Sequence, residues 1–468
     1  MKKRFCIVLG LAATVAAVAV GYMYVGRCRF PAVSQVVFDR EMKSPGCNVI
    51  LISIDTLRAD HLGCYGYARE TTPNIDRFRR DAVLFRQAIA HAPSTEPSHA
   101  SMFTGLIPAH HGALFVPRRP IATNVATMGE ILKAEGYHTI SYNGGGQVAA
   151  AFGFGRGFDE YVSFPNVNRY VEQTFSGKVK LMIEWLNKNR DKKFFFFLHT
   201  YETHHPYTPQ KEDLALFESG YAGTLPAEIS VDLLRQINSG ERALDAADRA
   251  HIVNCYDAEI YSVDRAFGVL VKFLKDRGLY HNTIIIFTSD HGEEFGEHGK
   301  MGWHSHTLYD ELLHVPLIVK FKDSQFAGQV VTPQVRHIDL LPTLLDVLDI
   351  PGSDPFEGVS LIEWFAHPRK QTLFAVSERD SKQAVNPLSI RTAQWKLYIG
   401  DRKPRLYSLR SDPGEQDNVY DWLRTKVRRT LHTELAARLE NRAYAPQGKT
   451  VEFDKETLER LRSLGYVK

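Results

Sequence analysis

The 468-residue sequence predicts an α/β fold with a mostly parallel central sheet, helices on both faces, and a smaller antiparallel lobe at the C-terminal end. Three continuous apolar runs, which begin at Asn48, Lys193 and Thr283, predict buried parallel strands that end among polar residues. Helical patterns separate these runs, and such alternation is typical of a parallel sheet covered on both faces. Ligand sites in such sheets lie beyond the carboxyl ends of the strands.

Four segments predict helices: residues 71–85, 126–137, 256–278 and 421–442. In the third segment apolar residues recur at i, i+3 and i+4, and Gly278 provides a stop signal. After residue 352 the short extended runs TLFAVSERD and SIRTAQWKLYIG predict an antiparallel sheet. We therefore predict a main α/β domain and a C-terminal lobe with terminal helices, over residues 45–350 and 351–468.

The N-terminal segment predicts contact with a membrane. Residues 5–26 carry no charge and are long enough to cross a hydrocarbon core of about 30 Å. Basic residues stand on both sides of the segment, so flanking charge is a weak guide to its orientation. An AVA sequence at 17–19 keeps a cleaved secretory signal as the alternative. We expect residues 1–29 to be a signal anchor or a signal peptide, with the remaining chain periplasmic or extracellular, and secreted if the segment is cleaved.

The composition excludes one class of partner. The formal net charge is +3, charged residues make up 24% of the chain, and no block of Lys and Arg is dense enough to follow a phosphate backbone. Nucleic acid is therefore not an expected partner. The five cysteines have spacings typical neither of a zinc ribbon nor of a dense disulfide scaffold, and the chain could form one disulfide without requiring any. The sequence does not predict the oligomeric state.

Ionisable residues follow each of the three predicted strands. Asp55 follows the first, Glu202, His204 and His205 follow the second, and Asp290, His291, His298, His304 and His306 follow the third. Such groups cost desolvation and repulsion energy unless something compensates them, and a divalent cation would do so. Singly, each also has a structural interpretation: Asp55 as a helix cap, Asp290 in an Asx turn, His204 as a solvated loop residue.

Thr95 lies at a predicted helix start, in the stretch STEPSHASMFTG. Pro97 suits the first turn of a helix, which places Thr95 at or just before the N-cap. Unpaired N–H groups and the helix dipole favour an anion there. A capping role and a role as nucleophile are therefore compatible.

Several motifs in order resemble the sulfatase branch of the alkaline phosphatase superfamily. They are NVILISIDTLRADHLGCYGYARETTPNID, PSTEPSHASMFTG, HHPY, TSDHGEEFGEHG, LYDELLHVPLIV and LYSLRSDPGEQDN, and they span roughly residues 45–420. The resemblance implies an alkaline-phosphatase-like fold and one divalent metal ion (Ca, Mn, Mg or Zn), with a second metal as the less favoured alternative. The implied ligands are Asp55, Thr95, Asp290 and His291. Further candidates for this site are Thr56, which replaces the second acid of most sulfatases, Glu202 and His298.

The sequence departs from the family at the nucleophile. Sulfatases carry Cys or Ser there, which is oxidised to formylglycine, and Thr95 cannot be converted by that route. Threonine does act directly in phosphodiesterases and phosphoethanolamine transferases of the same superfamily. His99 replaces the family arginine, and a histidine is only partly charged at neutral pH. The charge of the site is therefore expected to depend on pH.

The resemblance also implies substrate contacts. His204 matches the family histidine that binds a non-bridging oxygen or protonates the leaving group. On the late loop either His304 or His306 corresponds to a lysine or histidine of the family, and the sequence leaves that choice open. Asn143 and Gly144 stand where sulfatases often place a substrate-binding lysine, so that contact is expected to be missing.

We therefore predict a metal-dependent hydrolase or transferase of phosphate esters (phosphodiester, phosphonate or phosphomonoester), in which metal-bound Thr95 attacks in line. Its substrate is expected to be an anionic ester of a lipid or glycan. One alternative is a sulfate ester hydrolase that acts without formylglycine. Another is a membrane-anchored binding protein that keeps the fold without the chemistry.

Overall fold

The computed structural model describes nine ranges of the chain: residues 42–114, 119–164, 174–352, 356–362, 372–379, 386–400, 403–421, 426–440 and 454–465. The predicted anchor or signal at residues 1–29 lies outside them. Among the described helices, none combines the length and the apolar composition needed to span a membrane. Cys47, Cys64 and Cys255 are free thiols.

The centre of the molecule is an eight-stranded sheet in the order β10-β2-β9-β6-β1-β5-β3-β4. Its strands are β1 Asn48–Ile54, β2 Val83–Ile89, β3 His138–Asn143, β4 Glu160–Ser163, β5 Phe194–Thr200, β6 Thr283–Thr288, β9 His314–Lys320 and β10 Val330–Arg336. All neighbouring pairs are parallel except those of β9, which runs antiparallel to β2 and β6. The predicted mostly parallel sheet is confirmed. A separate two-stranded ribbon joins β7 Glu294–Phe295 to β8 Met301–Trp303.

The three predicted strands form the middle of the sheet. All residues of β1, β5 and β6 are buried, and β1 pairs with both of the others. Continuous apolar sequence is what a strand covered on both faces requires. Because the three strands are parallel neighbours, the polar residues that follow them lie together at one edge of the sheet.

Twelve α-helices lie within the described residues. They are α1 Pro73–Phe78, α2 Thr95–Thr104, α3 Pro108–His111, α4 Met128–Ala134, α5 Phe175–Lys188, α6 Lys211–Phe217, α7 Val231–Ser239, α8 Ala246–Asp276, α9 Asp310–Leu313, α10 Leu340–Leu348, α11 Lys426–Glu440 and α12 Lys455–Ser463. α8 begins ten residues before its predicted start, because Asp245 caps it by accepting a hydrogen bond from Asp248 N at 2.8 Å. α11 lies within the predicted range 421–442.

The helix predicted for residues 71–85 is wrong in its second half. α1 covers only Pro73–Phe78, and β2 begins at Val83. β2 lies between β9 and β10, where the apolar sequence AVLF is buried in the sheet. Burial between two strands outweighs the local helical pattern there.

The C-terminal lobe contains the predicted antiparallel sheet, in the order β11-β12-β13-β14. Its strands are β11 Ala375–Glu378, β12 Leu388–Arg391, β13 Trp395–Ile399 and β14 Arg405–Ser408. The run SIRTAQWKLYIG forms two of these strands, because Thr392 Oγ1 accepts hydrogen bonds from Gln394 N and Trp395 N and closes a turn. α11 packs on the sheet through Leu431 and Leu435. The domain boundaries at residue 350 stay a prediction.

Candidate active site

Four side chains from three elements meet at the carboxyl edge of the sheet. Asp55 follows β1, Asp290 and His291 follow β6, and Thr95 begins α2; we call these four residues the Asp–His cluster. The Thr95 hydroxyl lies 3.2 Å from Asp55 Oδ2 and 3.5 Å from His291 Nε2. His291 Nε2 lies 3.4 Å from Asp290 Oδ2. All four side chains are fully buried.

The Asp–His cluster holds more acceptor atoms than donors. His291 Nδ1 lies 2.9 Å from the Gly292 carbonyl oxygen, so Nδ1 carries the proton and Nε2 presents a lone pair. That lone pair faces Asp290 Oδ2 at 3.4 Å and Asp55 Oδ1 at 4.0 Å. Both of these carboxylate oxygens are buried, and no described residue donates a hydrogen bond to them. Oxygen and nitrogen lone pairs that converge within 4.8 Å fit a divalent cation.

Two neighbours orient Asp55. Its Oδ2 accepts from the Thr95 hydroxyl and lies 3.4 Å from His199 Nε2. His199 Nδ1 accepts a hydrogen bond from Gly144 N at 3.3 Å, so Nε2 is the protonated nitrogen and donates to the carboxylate. Burial, together with the charge of Asp290, raises the pKa of the Asp55 carboxyl well above its usual range. The two acids therefore repel each other where no cation lies between them.

Thr95 is the first residue of α2, and Ser94 is the N-cap. Thr95 lies one position further into the helix than we predicted, and Pro97 still falls within the first turn. Every residue of α2 is buried, including Thr95 and Pro97. The hydroxyl of Thr95 is therefore held against Asp55, at the helix end where a dipole favours negative charge.

His99 lies one turn after Thr95 and contacts the protein through both ring nitrogens. Nδ1 donates to the Thr95 carbonyl at 2.8 Å, and Nε2 accepts from Ser53 Oγ at 2.9 Å. Burial lowers the pKa of His99, against the opposing charge of Asp290. The expectation that His99 makes the charge of the site depend on pH stays a prediction, and burial disfavours the charged form of the ring.

Three further histidines pack beside the Asp–His cluster, around a buried glutamate. His204, His205 and His304 offer ligand atoms within 4.8 Å of one another; with Glu293 we call them the histidine cluster. Glu293 Oε1 lies 2.8 Å from His304 Nδ1, and Oε2 lies 3.4 Å from His205 Nδ1. His204 Nδ1 bonds to the His205 carbonyl oxygen. The rings of His291 and His304 are 4.7 Å apart, so the two clusters are contiguous.

Burial lowers the pKa of two imidazoles in the histidine cluster, those of His204 and His304. It lowers the pKa of His204 well below its usual range, with His205 and His304 adding to the effect. It also lowers the pKa of His304 to about 4, although Glu293 opposes this. Two of the histidines therefore present neutral rings to the site near pH 7.

The structure separates the two late-loop histidines. His304 belongs to the histidine cluster, whereas His306 Nε2 lies 2.6 Å from Glu294 Oε2 and its side chain is 21% exposed. His298 is also held elsewhere: its Nδ1 lies 2.6 Å from Glu311 Oε1, and its ring stacks on Tyr309. Neither His298 nor His306 joins the Asp–His cluster.

Glu202 and Thr56 do not point their side chains into the Asp–His cluster either. Glu202 Oε2 accepts a hydrogen bond from Phe175 N at the start of α5, and Oε1 accepts from Ser262 Oγ at 2.9 Å. The Thr56 hydroxyl donates to the Thr203 carbonyl at 2.7 Å, while Thr56 N donates to Asp290 Oδ1 at 3.2 Å. Thr56 adopts φ 57°, an uncommon angle for a β-branched residue, and this turn aims its N–H at Asp290.

Sequence reasoning missed two residues of this site. His199 is part of an apolar strand, and Glu293 is one of two adjacent glutamates in DHGEEFGEHG. A histidine near the end of a buried strand, two residues before the polar turn, is a signal that could have pointed to His199. Nothing in the sequence distinguishes Glu293 from Glu294, since the two glutamates are adjacent in the same polar loop.

Comparisons with known proteins agree with this geometry. The family model described as Sulfatase matches residues 47–350, and the one described as N-sulphoglucosamine sulphohydrolase, C-terminal, matches residues 296–442. A protein of Escherichia coli K12, named "Uncharacterized sulfatase YidJ", is 27% identical over 442 residues, which cover 84% of this chain and 87% of that protein. The "Ulvan-active sulfatase" of Formosa agariphila is 28% identical over 428 residues, which cover 84% and 80%.

The fold is also similar to that of solved structures. The phosphonate monoester hydrolase of Agrobacterium radiobacter superposes with a TM-score of 0.70 at 20% sequence identity, over 84% of this chain and 95% of that one. At this identity the similarity concerns the fold alone, which is the predicted alkaline-phosphatase-like one.

Proposed function

Because this chain belongs to the sulfatase family, we propose that it is a sulfate ester hydrolase whose reacting centre is the Asp–His cluster. The observation that carries the proposal is the set of buried lone pairs from Asp55, Asp290 and His291 beside the Thr95 hydroxyl. Such a set fits a cation that in turn binds an anionic ester. The substrate we propose is a sulfated glycan or another sulfate ester.

Our preference for phosphate esters was wrong. The chain matches the Sulfatase family model, and the two relatives compared above are named as sulfatases. The likeness to a phosphonate monoester hydrolase concerns the fold alone. The alternative of a sulfate ester hydrolase without formylglycine therefore replaces the phosphate ester prediction.

We place the metal on Asp55, Asp290 and His291. The donor set of two carboxylates and one imidazole suits Ca, Mg, Mn or Zn. When bound there, a divalent cation supplies Lewis acidity and neutralises charge on the sulfate oxygens. In this proposal the Asp55 side chain is held in place for the metal by the hydroxyl of Thr95 and by His199.

Thr95 excludes a formylglycine nucleophile. Oxidation of a threonine hydroxyl gives a ketone rather than an aldehyde, so formylglycine cannot form at this position. In the net reaction a water oxygen bonds to sulfur, the S–O bond to the alcohol breaks, and a proton passes to the alcohol. We propose that the Thr95 hydroxyl contacts the sulfate group at the N-terminal end of α2.

His204 and His304 are the proposed contacts on the side of the leaving group. Since Nδ1 of His204 is bound to a carbonyl and Nδ1 of His304 to Glu293, a substrate would be contacted through Nε2. Glu293 Oε1 accepts the hydrogen bond from His304 Nδ1 and thereby fixes the orientation of the neutral ring. The proton that the departing alcohol gains comes from the attacking water.

The proposal is tested by release of inorganic sulfate from an aryl sulfate and from sulfated polysaccharides, measured by ion chromatography. We expect Thr95→Ala to lower kcat on the order of 10²-fold, since one contact to the reacting group is lost, and Thr95→Ser to retain much of the activity. Thr104→Ala is the matched control, because Thr104 is a buried threonine of the same helix whose hydroxyl donates to Ala100 O.

Two results would contradict the proposal. One is a parent protein that cleaves phosphodiesters or phosphonates but no sulfate ester. The other is a parent protein that binds sulfated glycans without cleaving them, which would favour the non-catalytic alternative. Elemental analysis of the purified protein measures the metal independently of either result.

A further inference from the structure

The end of the described chain packs against the active site. Leu461 of α12 is fully buried and Leu464 nearly so. Arg235 of α7 donates to the Gly465 carbonyl at 3.3 Å. A Cβ atom built on Gly465 would lie 3.6 Å from His205 Nε2, so the chain at residue 465 runs directly beside the histidine cluster. Residues 454–465 are therefore part of the wall of the site.

Arg460 is the cationic residue that this segment brings to the site. Its Nε donates to the Gly144 carbonyl at 3.2 Å, and its guanidinium carbon lies 5.2 Å from the centre of the Tyr201 ring. Such a position over an aromatic face favours a guanidinium. Lys455, at the start of the same helix, has a side chain that is 91% exposed. Within the described residues its ion pair is with Glu459.

Both neighbours of Arg460 border the catalytic groups. Gly144 N donates to His199, which in turn lies 3.4 Å from Asp55. The Tyr201 ring is 4.7 Å from the ring of His199 and 5.6 Å from that of His204. Tyr201 thus separates Arg460 from the histidine cluster, and Gly144 and His199 separate it from the Asp–His cluster.

The site needs a source of positive charge such as Arg460. A sulfate ester is an anion at every physiological pH, and it requires positive charge that does not titrate. Both ring nitrogens of His99 bond within the chain, to the Thr95 carbonyl and to Ser53 Oγ, and neither Asn143 nor Gly144 supplies the lysine that the family often has there. Lys178 lies nearby, but burial and then the charge of Arg460 lower its pKa to about 7. An arginine stays charged under these conditions.

We propose that Arg460 is a substrate-binding residue, which supplies the permanent positive charge for the sulfate group in place of the missing arginine and lysine. The inference rests on the proposed function for the identity of the anion. It assigns to a residue near the end of the chain a contact that would otherwise come from α2 or from the turn after β3.

The test compares the parent, Arg460→Ala, Arg460→Lys and the control Lys455→Ala, each as the full chain with its metal. We measure KM and kcat for an aryl sulfate and the inhibition constant of inorganic sulfate. Loss of one charge-assisted contact predicts that Arg460→Ala raises both KM and the inhibition constant by about 10-fold or more. Arg460→Lys should recover part of this loss, and Lys455→Ala should match the parent.

A merely structural role gives a different pattern. If Arg460 only holds the turn at Gly144, then Arg460→Ala lowers kcat or the melting temperature while the inhibition constant of sulfate stays unchanged, and the proposal is overturned. Added guanidinium ion at a non-denaturing concentration should restore sulfate binding to Arg460→Ala if the missing group is a cation. If Arg460→Ala already binds sulfate as the parent does and added guanidinium does not change that binding, the proposal is also overturned.

Failure of the proposed function can be recognised separately. If the parent cleaves no sulfate ester, binding of inorganic sulfate is measured by isothermal titration calorimetry. A parent that binds sulfate about 10-fold more tightly than Arg460→Ala supports the role of Arg460 and rejects the hydrolase proposal. A parent that does not bind sulfate rejects the role of Arg460.

Discussion

Two buried clusters of ionisable groups differ in how their charge is compensated. One is the Asp–His cluster at the edge of the central sheet. The other, which we call the lobe cluster, consists of Asp310, Arg391, Lys396 and Glu415 at the junction with the C-terminal sheet. In the lobe cluster Arg391 Nη2 lies 2.8 Å and Lys396 Nζ 3.0 Å from Asp310, and Lys396 Nζ also lies 3.0 Å from Glu415. Each carboxylate there faces a cation of the same chain.

The Asp–His cluster lacks such partners. Asp55 Oδ1 and Asp290 Oδ2 accept no hydrogen bond from the described residues, and the nearest imidazole nitrogen, His291 Nε2, faces them with a lone pair. Buried charges are normally paired or bound to metal. Burial alone therefore does not identify a functional cluster. Carboxylates paired with cations of the chain indicate a structural role, whereas converging carboxylate oxygens that accept no hydrogen bond, such as Asp55 Oδ1 and Asp290 Oδ2, indicate a ligand.

The largest effect is expected from Asp55→Asn. The amide keeps the size of the side chain but removes one charge that the metal requires, so we expect kcat for sulfate ester hydrolysis to fall on the order of 10³-fold. The metal-free protein should become more stable at the same time, because burial and the charge of Asp290 raise the pKa of the Asp55 carboxyl, so the fold favours an uncharged side chain there. Activity assays, metal content and thermal unfolding of the metal-free protein measure these three effects.

The opposite changes of activity and stability are the specific part of this prediction. A decrease in stability of the metal-free protein would mean that the hydrogen bonds from Thr95 and His199 favour the charge of Asp55 by more than burial and repulsion disfavour it. Unchanged metal content would mean that Asp55 is not a ligand. Thr104→Ala serves again as the control for a buried change near the site.

The sequence predicts the Asp–His cluster because its members follow strands that are neighbours in a parallel sheet. Asp55 and Asp290 are each the first charged residue after a mostly apolar run, and such runs are recognised from the sequence alone. The helix start at Thr95 is similarly local, with an error of one position. Patterns that depend on a single strand or a single helical turn are therefore predicted well.

Residues that depend on tertiary packing are not predicted from the sequence. His298 and His306 lie much closer to His304 in sequence than His204 and His205 do, yet they pair with Glu311 and Glu294. Their partners are set by the path of the ribbon β7–β8. Arg460 contacts a turn more than three hundred residues earlier in the chain, and no local pattern marks it.

A smaller effect, on stability, is expected from Asp310→Asn in the lobe cluster. The change leaves Arg391 and Lys396 buried with less negative charge than they need, and removing one partner of a buried ion pair costs about 3 kcal/mol or more. Urea unfolding measures this loss of the free energy of unfolding. Asp276→Asn is the matched control: its partner Lys272 and Asp276 itself have side chains 75% and 57% exposed, and we expect a loss below about 0.5 kcal/mol.

The contrast with the Asp–His cluster would fail if the two Asp→Asn changes had the same sign. Asp55→Asn is expected to stabilise the metal-free protein, and Asp310→Asn to destabilise it. If both variants gained stability, the lobe cluster would also carry surplus negative charge, and compensation within the chain would not separate structure from function.

The smallest effect is expected from Glu415→Gln, and it depends on pH. Burial raises the pKa of the Glu415 carboxyl to about 7, against the opposing charge of Lys396 and with that of Asp310 adding to the rise. The folded pKa is above the ordinary value of about 4.5, so the folded protein binds this proton more tightly than the unfolded chain. The parent therefore loses stability as the pH rises from about 4.5 to 7, and Glu415→Gln should remove that loss.

The melting temperatures of the parent and Glu415→Gln are compared from pH 5 to pH 8. At pH 5 the carboxyl is protonated, as neutral as the amide, and the two proteins should melt together. At pH 8 the variant should melt higher, because the parent must hold an ionised Glu415 beside Asp310. Asp310 N donates to Glu415 Oε2 at 2.6 Å, and the amide oxygen of Gln can accept that hydrogen bond. A variant that melts lower at pH 8 would show that the ion pair with Lys396 stabilises the folded protein by more than burial of the Glu415 charge costs. Every acid of the lobe cluster would then be compensated by a cation of the chain.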